Sequence, residues 1–214
     1  MLTVWGRPSA YNVQKVRWFI TELGLEYEHI DIGGALGGLE NEAFLMMNPH
    51  GRIPVIKDGE YIVWESNSIL RYLAATYAIN EYWNESPAER SLIERWMDWE
   101  LSTLQPLFLE LFWGHYRTPE AQRDQSLIEH YRQACEQRIK VLDAVLEKNE
   151  YVAGESFSLA DVCVGTCFFR YFNMGIDVDR PVNVDRWYLR LAERPAYQQI
   201  IQASFEDLKG RLTF

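Results

Sequence analysis

NPHGRIPVIKDGEYIVWES, residues 48–66, joins an apolar strand, a tight turn, a second strand and a helix start within one short span. Pro54 cannot donate a hydrogen bond to a sheet, so it is expected at the first position of a strand or on a sheet edge. Asp58-Gly59 is a strong signal for a two-residue hairpin turn, which would join strands at 55–57 and 61–63. The span therefore predicts a β-hairpin that leads directly into a helix.

The same span carries groups that suit a small zwitterionic peptide. A cis bond between Ile53 and Pro54 would turn the Ile53 backbone outward, where its N–H and C=O could pair with an extended peptide. Glu65 would supply a carboxylate for an ammonium group, and Ser66 would supply hydroxyl and amide donors for a carboxylate. A plain helix cap is the alternative role for Glu65 and Ser66.

The residues on either side of this span predict an α/β unit followed by a helical one. Before the hairpin, the expected elements are a strand at 2–5, a helix at 13–23 that stops at Gly24, a strand at 27–32 and a short helix at 40–47. A helix at 66–77 closes the α/β unit. Residues 79–86 are polar and aperiodic, and Pro87 suits the first turn of a helix.

Everything beyond residue 86 has a helical pattern. A helix at 91–111 has apolar residues on nearly all faces, which predicts burial against the first half and a second subunit, and Pro106 is expected to kink it. Further helices are expected at 120–148, from Ser158, at 185–193 and at 195–204. Ser158 and Asp161 have the spacing of a capping box, which is a structural feature.

Four motifs together resemble the cytosolic glutathione S-transferase family. They are the span 48–66, LTVWGR at 2–7, NVQKVRW at 12–18 and SLAD at 158–161, and they occur in the family's order and at its separations. The resemblance covers nearly the whole chain and is greatest to bacterial, Ser/Asn-type members that are similar to the theta and nu classes.

This resemblance implies a fold and an activity. It implies a thioredoxin-like α/β N-terminal domain over 1–78, with a mixed four-stranded sheet, then a linker at 79–86 and an all-α C-terminal domain over 87–214. The implied activity is conjugation of the glutathione thiolate to small electrophilic, mostly apolar compounds, with glutathione as co-substrate and no metal. A homodimer in the cytoplasm is expected by the same resemblance.

A donor near the glutathione sulfur would favour the thiolate. Lowering a thiol pKa by two units takes about 2.7 kcal/mol, and one hydrogen bond to an anion contributes about 1.5–3 kcal/mol, so a single donor is nearly sufficient. Related members usually carry Ser at the position that aligns with Ala10 and Asn two residues later. Because Ala10 has no donor, the catalytic candidates are Asn12 and Ser9, with Tyr11 third. A helix N-cap is the alternative role for Asn12.

The remaining site residues are assigned by the same resemblance. Arg52 and His50 are candidates for the glycyl carboxylate, with a solvated loop as the alternative, and Ile53 and Pro54 would bracket the cysteinyl unit. The electrophile pocket is expected to be lined by Arg7, Phe108, Phe112, Trp113 and Tyr116, although aromatic residues at helical spacing more often belong to a core. Arg7 would suit an anionic substrate and is expected to form a basic cluster with Lys15 and Arg17.

Composition excludes other classes of function. The chain has 214 residues and a net charge of −10, so nucleic acid and anionic membranes are poor partners. Three cysteines make a disulfide framework implausible, and none of the four histidines is near enough to others to suggest a metal site.

Two alternatives to glutathione conjugation are open. One is a glutathione-dependent disulfide reductase or peroxidase, and the other is a non-catalytic, transferase-like regulatory or scaffold protein.

Overall fold

A computed structural model describes residues 1–213. The first half contains β1 (Leu2–Trp5), α1 (Tyr11–Glu22), β2 (Tyr27–Ile30), α2 (Glu42–Met47), β3 (Val55–Asp58), β4 (Tyr61–Trp64) and α3 (Ser66–Tyr77). The second half contains α4 (Pro87–Trp99), α5 (Gln105–Phe112), α6 (Gln125–Leu146), α7 (Leu159–Gly165), α8 (Phe168–Asn173), α9 (Val182–Ala192) and α10 (Pro195–Ile200). The order of elements expected for the first half is confirmed, with most boundaries shifted by a few residues. In the second half, the helix expected at 91–111 is divided between α4 and α5, and α8 was not predicted as a separate helix.

The strands form a mixed sheet in the order β2-β1-β3-β4. β1 runs parallel to β2, and β3 is antiparallel to both β1 and β4. Val4 and Ile56 lie opposite each other in the centre of this sheet and are fully buried. The mixed four-stranded sheet expected for a thioredoxin-like domain is therefore confirmed.

The hairpin turn lies one residue later than expected. Asp58 pairs with Tyr61, so the two loop residues are Gly59 and Glu60. Gly59 has a φ of 57°, a left-handed conformation that glycine adopts without a steric penalty.

The helix around Pro106 is interrupted by a π-helical segment, Glu100–Leu104, between α4 and α5. Proline has no N–H for the carbonyl four residues earlier and its ring crowds that carbonyl, so a widened turn just before Pro106 accommodates it. Leu92 and Leu101 are exposed, which shows that the apolar residues of this helix are not buried on all faces of the single chain.

The later helices also differ in detail from expectation. α6 begins at Gln125 because the Asp124 carboxylate caps it by accepting from the Ser126 and Leu127 amides. The capping box of Ser158 and Asp161 is present and opens α7. Within residues 1–213, none of the helices combines the length and apolar character that crossing a membrane requires.

The two halves share one hydrophobic core. Trp18 of α1 is fully buried and its ring contacts Phe157 and Tyr197 of the second half. Lys15 of α1 forms a buried ion pair with Glu100, with Nζ and Oε2 2.8 Å apart. These contacts fix the start of α1, which borders the candidate site.

Candidate active site

A cavity of about 410 Å³ opens where the N-terminal ends of α1 and α3 meet the loop before β3. Its walls combine cationic, anionic and main-chain polar groups with a few apolar side chains. The lining residues are Arg7, Ala10, Asn12, Gly34, Leu39, Asn48, His50, Gly51, Arg52, Ile53, Pro54, Glu65 and Ser66. Most residues expected to bind glutathione are thus brought to one cavity.

The Ile53 backbone forms one edge of this cavity. The Ile53-Pro54 peptide bond is cis, as expected, and Ile53 lies just before the ladder of β3. Among the described residues, its N–H and C=O have no main-chain hydrogen-bond partner. Both groups can therefore pair with an extended peptide.

Glu65 and Ser66 line the same cavity at the start of α3, directly after Trp64 of β4, which pairs with Val55 of β3. Glu65 has a φ of 69°, which is unusual for a residue with a side chain. Its exposed carboxylate makes no hydrogen bond or ion pair with the described residues and does not cap α3. The first amides of α3 have no partner within the helix, so this corner presents a carboxylate beside free N–H donors.

Asn48 organises the loop that carries two of the cations. Its Nδ2 donates to the Arg52 carbonyl (2.8 Å), and its Oδ1 accepts from the His50 amide (3.1 Å). Asn48 is buried, whereas the His50 and Arg52 side chains are exposed at the cavity. Sequence reasoning missed Asn48, although an Asn before a proline is a known signal for a turn held by the Asn side chain.

Asn12 presents its amide to the cavity. Its Oδ1 accepts from Ser66 Oγ and from Gln105 Nε2, both at 3.3 Å. Its Nδ2 makes no hydrogen bond to the described residues, so it is the free donor of the side chain. Ala10 occupies the N-cap of α1, so the alternative role of Asn12 as a helix cap is wrong.

Ser9 and Tyr11, the other two donor candidates, do not line this cavity. Ser9 borders a second cavity of about 540 Å³ on the other side of Arg7, between α1 and the segment after α10. The Tyr11 hydroxyl donates to Glu100 Oε1 at 2.8 Å in the interior. Burial and the Glu100 charge raise the pKa of Tyr11 well above its usual value, so it stays protonated there. Neither side chain is aimed at the site.

The aromatic residues expected around an electrophile are mostly packed against one another. Phe108, Phe112 and Tyr116 are 1%, 3% and 6% exposed and form a stack that Phe205 closes. Their rings belong to the core of this structure. Trp113 is partly exposed and lies under the Arg117 guanidinium, 3.9 Å from ring centre to Cζ.

The expected basic cluster of Arg7, Lys15 and Arg17 does not form. Arg7 lines both cavities, and Arg17 Nε donates to the Tyr27 hydroxyl (3.0 Å). Lys15 points into the interior, where burial lowers its pKa, but the charge and hydrogen bond of Glu100 together with the nearby Cys163 and Cys167 raise the pKa above its usual value. The separation follows from helical geometry, because residues two apart on α1 face different sides.

The three cysteines lie away from the cavity. Cys135, Cys163 and Cys167 are buried, and burial raises the pKa of Cys163 to about 12. A thiol with that pKa is not nucleophilic near neutral pH. Among the described residues, no group of three or more His, Cys, Asp or Glu side chains could hold a metal ion.

Comparison with known proteins gives the same family over both halves. The family model for the glutathione S-transferase N-terminal domain matches residues 1–75, and that for the C-terminal domain matches residues 104–195. Glutathione S-transferase GstB of Escherichia coli is 39% identical over 203 residues, which is 94% of this chain and 98% of GstB. The disulfide-bond oxidoreductase YfcG of E. coli is 28% identical, over 92% of this chain and 93% of YfcG.

A solved structure shares the fold over almost the full length. It is the theta class glutathione S-transferase from Xanthomonas axonopodis pv. citri with glutathione bound, and it is 40% identical with a TM-score of 0.90. The superposition covers 95% of this chain and 98% of that chain.

Proposed function

Because this chain belongs to the glutathione S-transferase family, we propose that its 410 Å³ cavity binds glutathione and activates the thiol for attack on a small electrophile. The supporting observation is that groups complementary to each part of the tripeptide converge on one cavity. They are a free carboxylate, an unpaired main-chain edge, cationic side chains and an amide donor.

Each part of glutathione has a counterpart in this proposal. The γ-glutamyl ammonium pairs with Glu65, and the neighbouring carboxylate accepts from the Ser66 amide at the start of α3. The cysteinyl unit lies along the Ile53 backbone beside Pro54. The glycyl carboxylate meets the Arg52 guanidinium, whose planar N–H donors suit a carboxylate, and His50.

Asn12 is the residue that favours the thiolate. Its Nδ2 is aimed at the cavity and donates to the sulfur, contributing about 1.5–3 kcal/mol to the charged form, which corresponds to about one to two pKa units. No enzyme base is needed, because a thiol with a lowered pKa ionises to solvent near neutral pH. Ala10, which lines the cavity beside Asn12, leaves room at the sulfur.

The reaction is a substitution or addition at carbon. In a substitution, the thiolate sulfur forms a C–S bond and a leaving group such as chloride departs with its electron pair. In an addition, the same bond forms, the electron pair of the double bond moves to the neighbouring atom, and that atom takes a proton from solvent. The electrophile approaches next to Arg7, and its chemical class is small and mostly apolar. A homodimer in the cytoplasm is part of the same proposal, with buried cysteines that suit a reducing compartment.

Disulfide reduction is a second candidate function, because YfcG carries that name and is similar over most of the chain. Since all three cysteines are buried, no enzyme thiol would take part: two glutathione molecules would reduce the substrate disulfide by successive thiol exchange and leave as glutathione disulfide.

Two assays test the proposal. The protein should be retained on immobilised glutathione and should turn over 1-chloro-2,4-dinitrobenzene faster than a mixed glutathione disulfide. Glu65→Gln should raise KM for glutathione by about ten-fold or more, because it removes a charged partner of the ammonium. Glu60→Gln, on the exposed hairpin turn, is the matched control and should leave KM unchanged.

Failure to bind glutathione would overturn the proposal and favour a scaffold protein. Faster turnover of the mixed disulfide would replace conjugation with reduction. An equal effect of both Glu variants would contradict the placement of the ammonium at Glu65.

A further inference from the structure

Gln105 approaches Asn12 from the helical half of the molecule. It is the first residue of α5, 93 positions along the chain from Asn12, and its Nε2 lies 3.3 Å from Asn12 Oδ1. Ser66 Oγ donates to the same oxygen. Because Gln105 Nε2 can only donate, the Asn12 amide has one favourable orientation, in which Oδ1 meets Gln105 and Nδ2 faces the cavity.

The π-helical segment Glu100–Leu104 brings Gln105 to this position. On a regular α-helix, residues five apart would point roughly 140° away from each other. Here the Gln105 N–H donates to the Glu100 carbonyl, five residues earlier, so the two side chains share the face that meets α1. Glu100 accepts hydrogen bonds from Tyr11 and Lys15, and Gln105 donates one to Asn12. The two ends of the π-helical turn therefore bind three side chains of α1.

The Gln105 side chain carries a buried polar atom that lowers the stability of the fold. The side chain is 6% exposed, and its Oε1 is buried without a hydrogen-bond partner among the described residues. An unsatisfied buried carbonyl destabilises the folded state, and an apolar residue of similar size would avoid that cost. The useful part of this side chain is therefore its Nε2 donor.

We propose that Gln105 is a positioning residue that orients the Asn12 amide, so that Nδ2 and not Oδ1 faces the glutathione sulfur. This rests on the proposed function of Asn12. Without Gln105, the amide would lose the contact that distinguishes its nitrogen from its oxygen, because the Ser66 hydroxyl can accept as well as donate. A carbonyl oxygen turned toward the sulfur would disfavour the thiolate.

The test is a double-mutant cycle read out by the pKa of bound glutathione. Titration of thiolate absorbance should show that Gln105→Met raises this pKa by about 0.5 to 1 unit, a part of what one hydrogen bond to a charged group contributes. The kcat/KM value should fall about three- to ten-fold below the pKa and recover at high pH, because only the thiolate fraction changes. Thermal stability should be unchanged or higher, since the orphan carbonyl is removed.

Two controls separate positioning from other effects. In an Asn12→Ala background, Gln105→Met should no longer change the thiol pKa, because the residue through which it acts is absent. Ser102→Ala, an exposed change in the same π-helical segment, should leave the pKa unchanged.

The outcomes distinguish this inference from the proposed function. If Asn12→Ala raises the thiol pKa and Gln105→Met does not, positioning by Gln105 is wrong and the function of Asn12 stands. If Gln105→Met has the same effect with and without Asn12, it acts by another route and the inference is also wrong. If neither variant changes the pKa, the role of Asn12 itself is wrong.

Discussion

At the scale of single residues, the three donor candidates at and just before the start of α1 have three different surroundings. Ser9 borders the second cavity, Tyr11 donates to Glu100 in the interior, and Asn12 lines the 410 Å³ cavity. Successive residues of a helix point roughly 100° apart, so Tyr11 and Asn12 face different sides of α1, and Ser9 precedes the helix. The sequence shows that donors cluster here, but not the rotation of the helix, which is set by contacts with α3 and α5.

This geometry gives different expectations for three conservative variants. Asn12→Ala should raise the pKa of bound glutathione by about one to two units, the worth of one hydrogen bond to an anion. Ser9→Ala should leave that pKa unchanged. Tyr11→Phe should also leave it unchanged, but should destabilise the protein by about 1–3 kcal/mol because it leaves Glu100 with an unpaired buried oxygen.

Thiolate absorbance and chemical unfolding measure the two effects separately. A rise of the thiol pKa in Ser9→Ala or Tyr11→Phe, with none in Asn12→Ala, would show that the wrong donor has been identified.

At the scale of elements, local sequence patterns predict the strands and helices, but they do not predict which distant residues pack together. The sheet, the first helix and the capping box of α7 depend on alternation, periodicity and end signals within a few residues, so the sequence could predict them. The π-helical segment could not be read from periodicity, and Pro106 was its only local sign. Phe205 packs against the aromatic stack formed by Phe108, Phe112 and Tyr116. It lies far along the chain from all three, so no local sequence pattern predicts this contact.

The close approach of α7 to its neighbours depends on Gly165. A Cβ at this position would lie 2.6 Å from Leu191 Cδ1 and 3.3 Å from the Trp18 ring, both of which are buried. Gly165→Ala should therefore destabilise the protein by about 1–3 kcal/mol, as over-packing of a core does. Thermal unfolding measures this change.

Gly114 provides the matched control. A Cβ there would meet its nearest neighbour, Ile128 Cγ1, at an ordinary 3.5 Å. Gly114→Ala should stabilise the protein by up to about 1 kcal/mol, because alanine is the better helix former. Equal effects of the two substitutions would contradict the packing of α7 described here.

The capping carboxyl of α7 should make stability depend on pH. Burial raises the pKa of Asp161 from 3.8 to about 6, although four donors to the carboxylate act in the opposite direction. The folded protein therefore binds a proton between about pH 4 and 6 that the unfolded chain has released, so this contribution to stability is present below about pH 4 and is lost as pH rises through about 6.

Comparison with Asp161→Asn isolates this group, because asparagine does not titrate. The free energy of unfolding of the wild type minus that of the variant should decrease by about 2–3 kcal/mol from pH 4 to 6.5. A difference that stays constant, or increases with pH, would show that the donors keep Asp161 ionised.

At the scale of the whole molecule, a buried ion pair joins the two halves beside the site. Lys15 lies on α1 and Glu100 lies between α4 and α5, and both are fully buried. Removing one partner leaves the other charge buried and uncompensated, which costs about 3–5 kcal/mol. The two halves should therefore unfold together.

Lys15→Met and Glu100→Leu should each destabilise the protein by about 3–5 kcal/mol. The double variant should lose clearly less than the sum of the two, because it leaves neither charge buried without a partner. Urea unfolding followed by tryptophan fluorescence and by circular dichroism should give coincident transitions in the wild type. Additive effects in the double variant, or two separate transitions, would contradict the coupling of the halves through this pair.

The binding of the tripeptide is tested most directly by a crystal structure with glutathione bound. We expect the γ-glutamyl ammonium at Glu65, the cysteinyl backbone paired with Ile53, and the sulfur within hydrogen-bond distance of Asn12 Nδ2. A tripeptide bound in the second cavity, or a sulfur that contacts a different donor, would contradict the account.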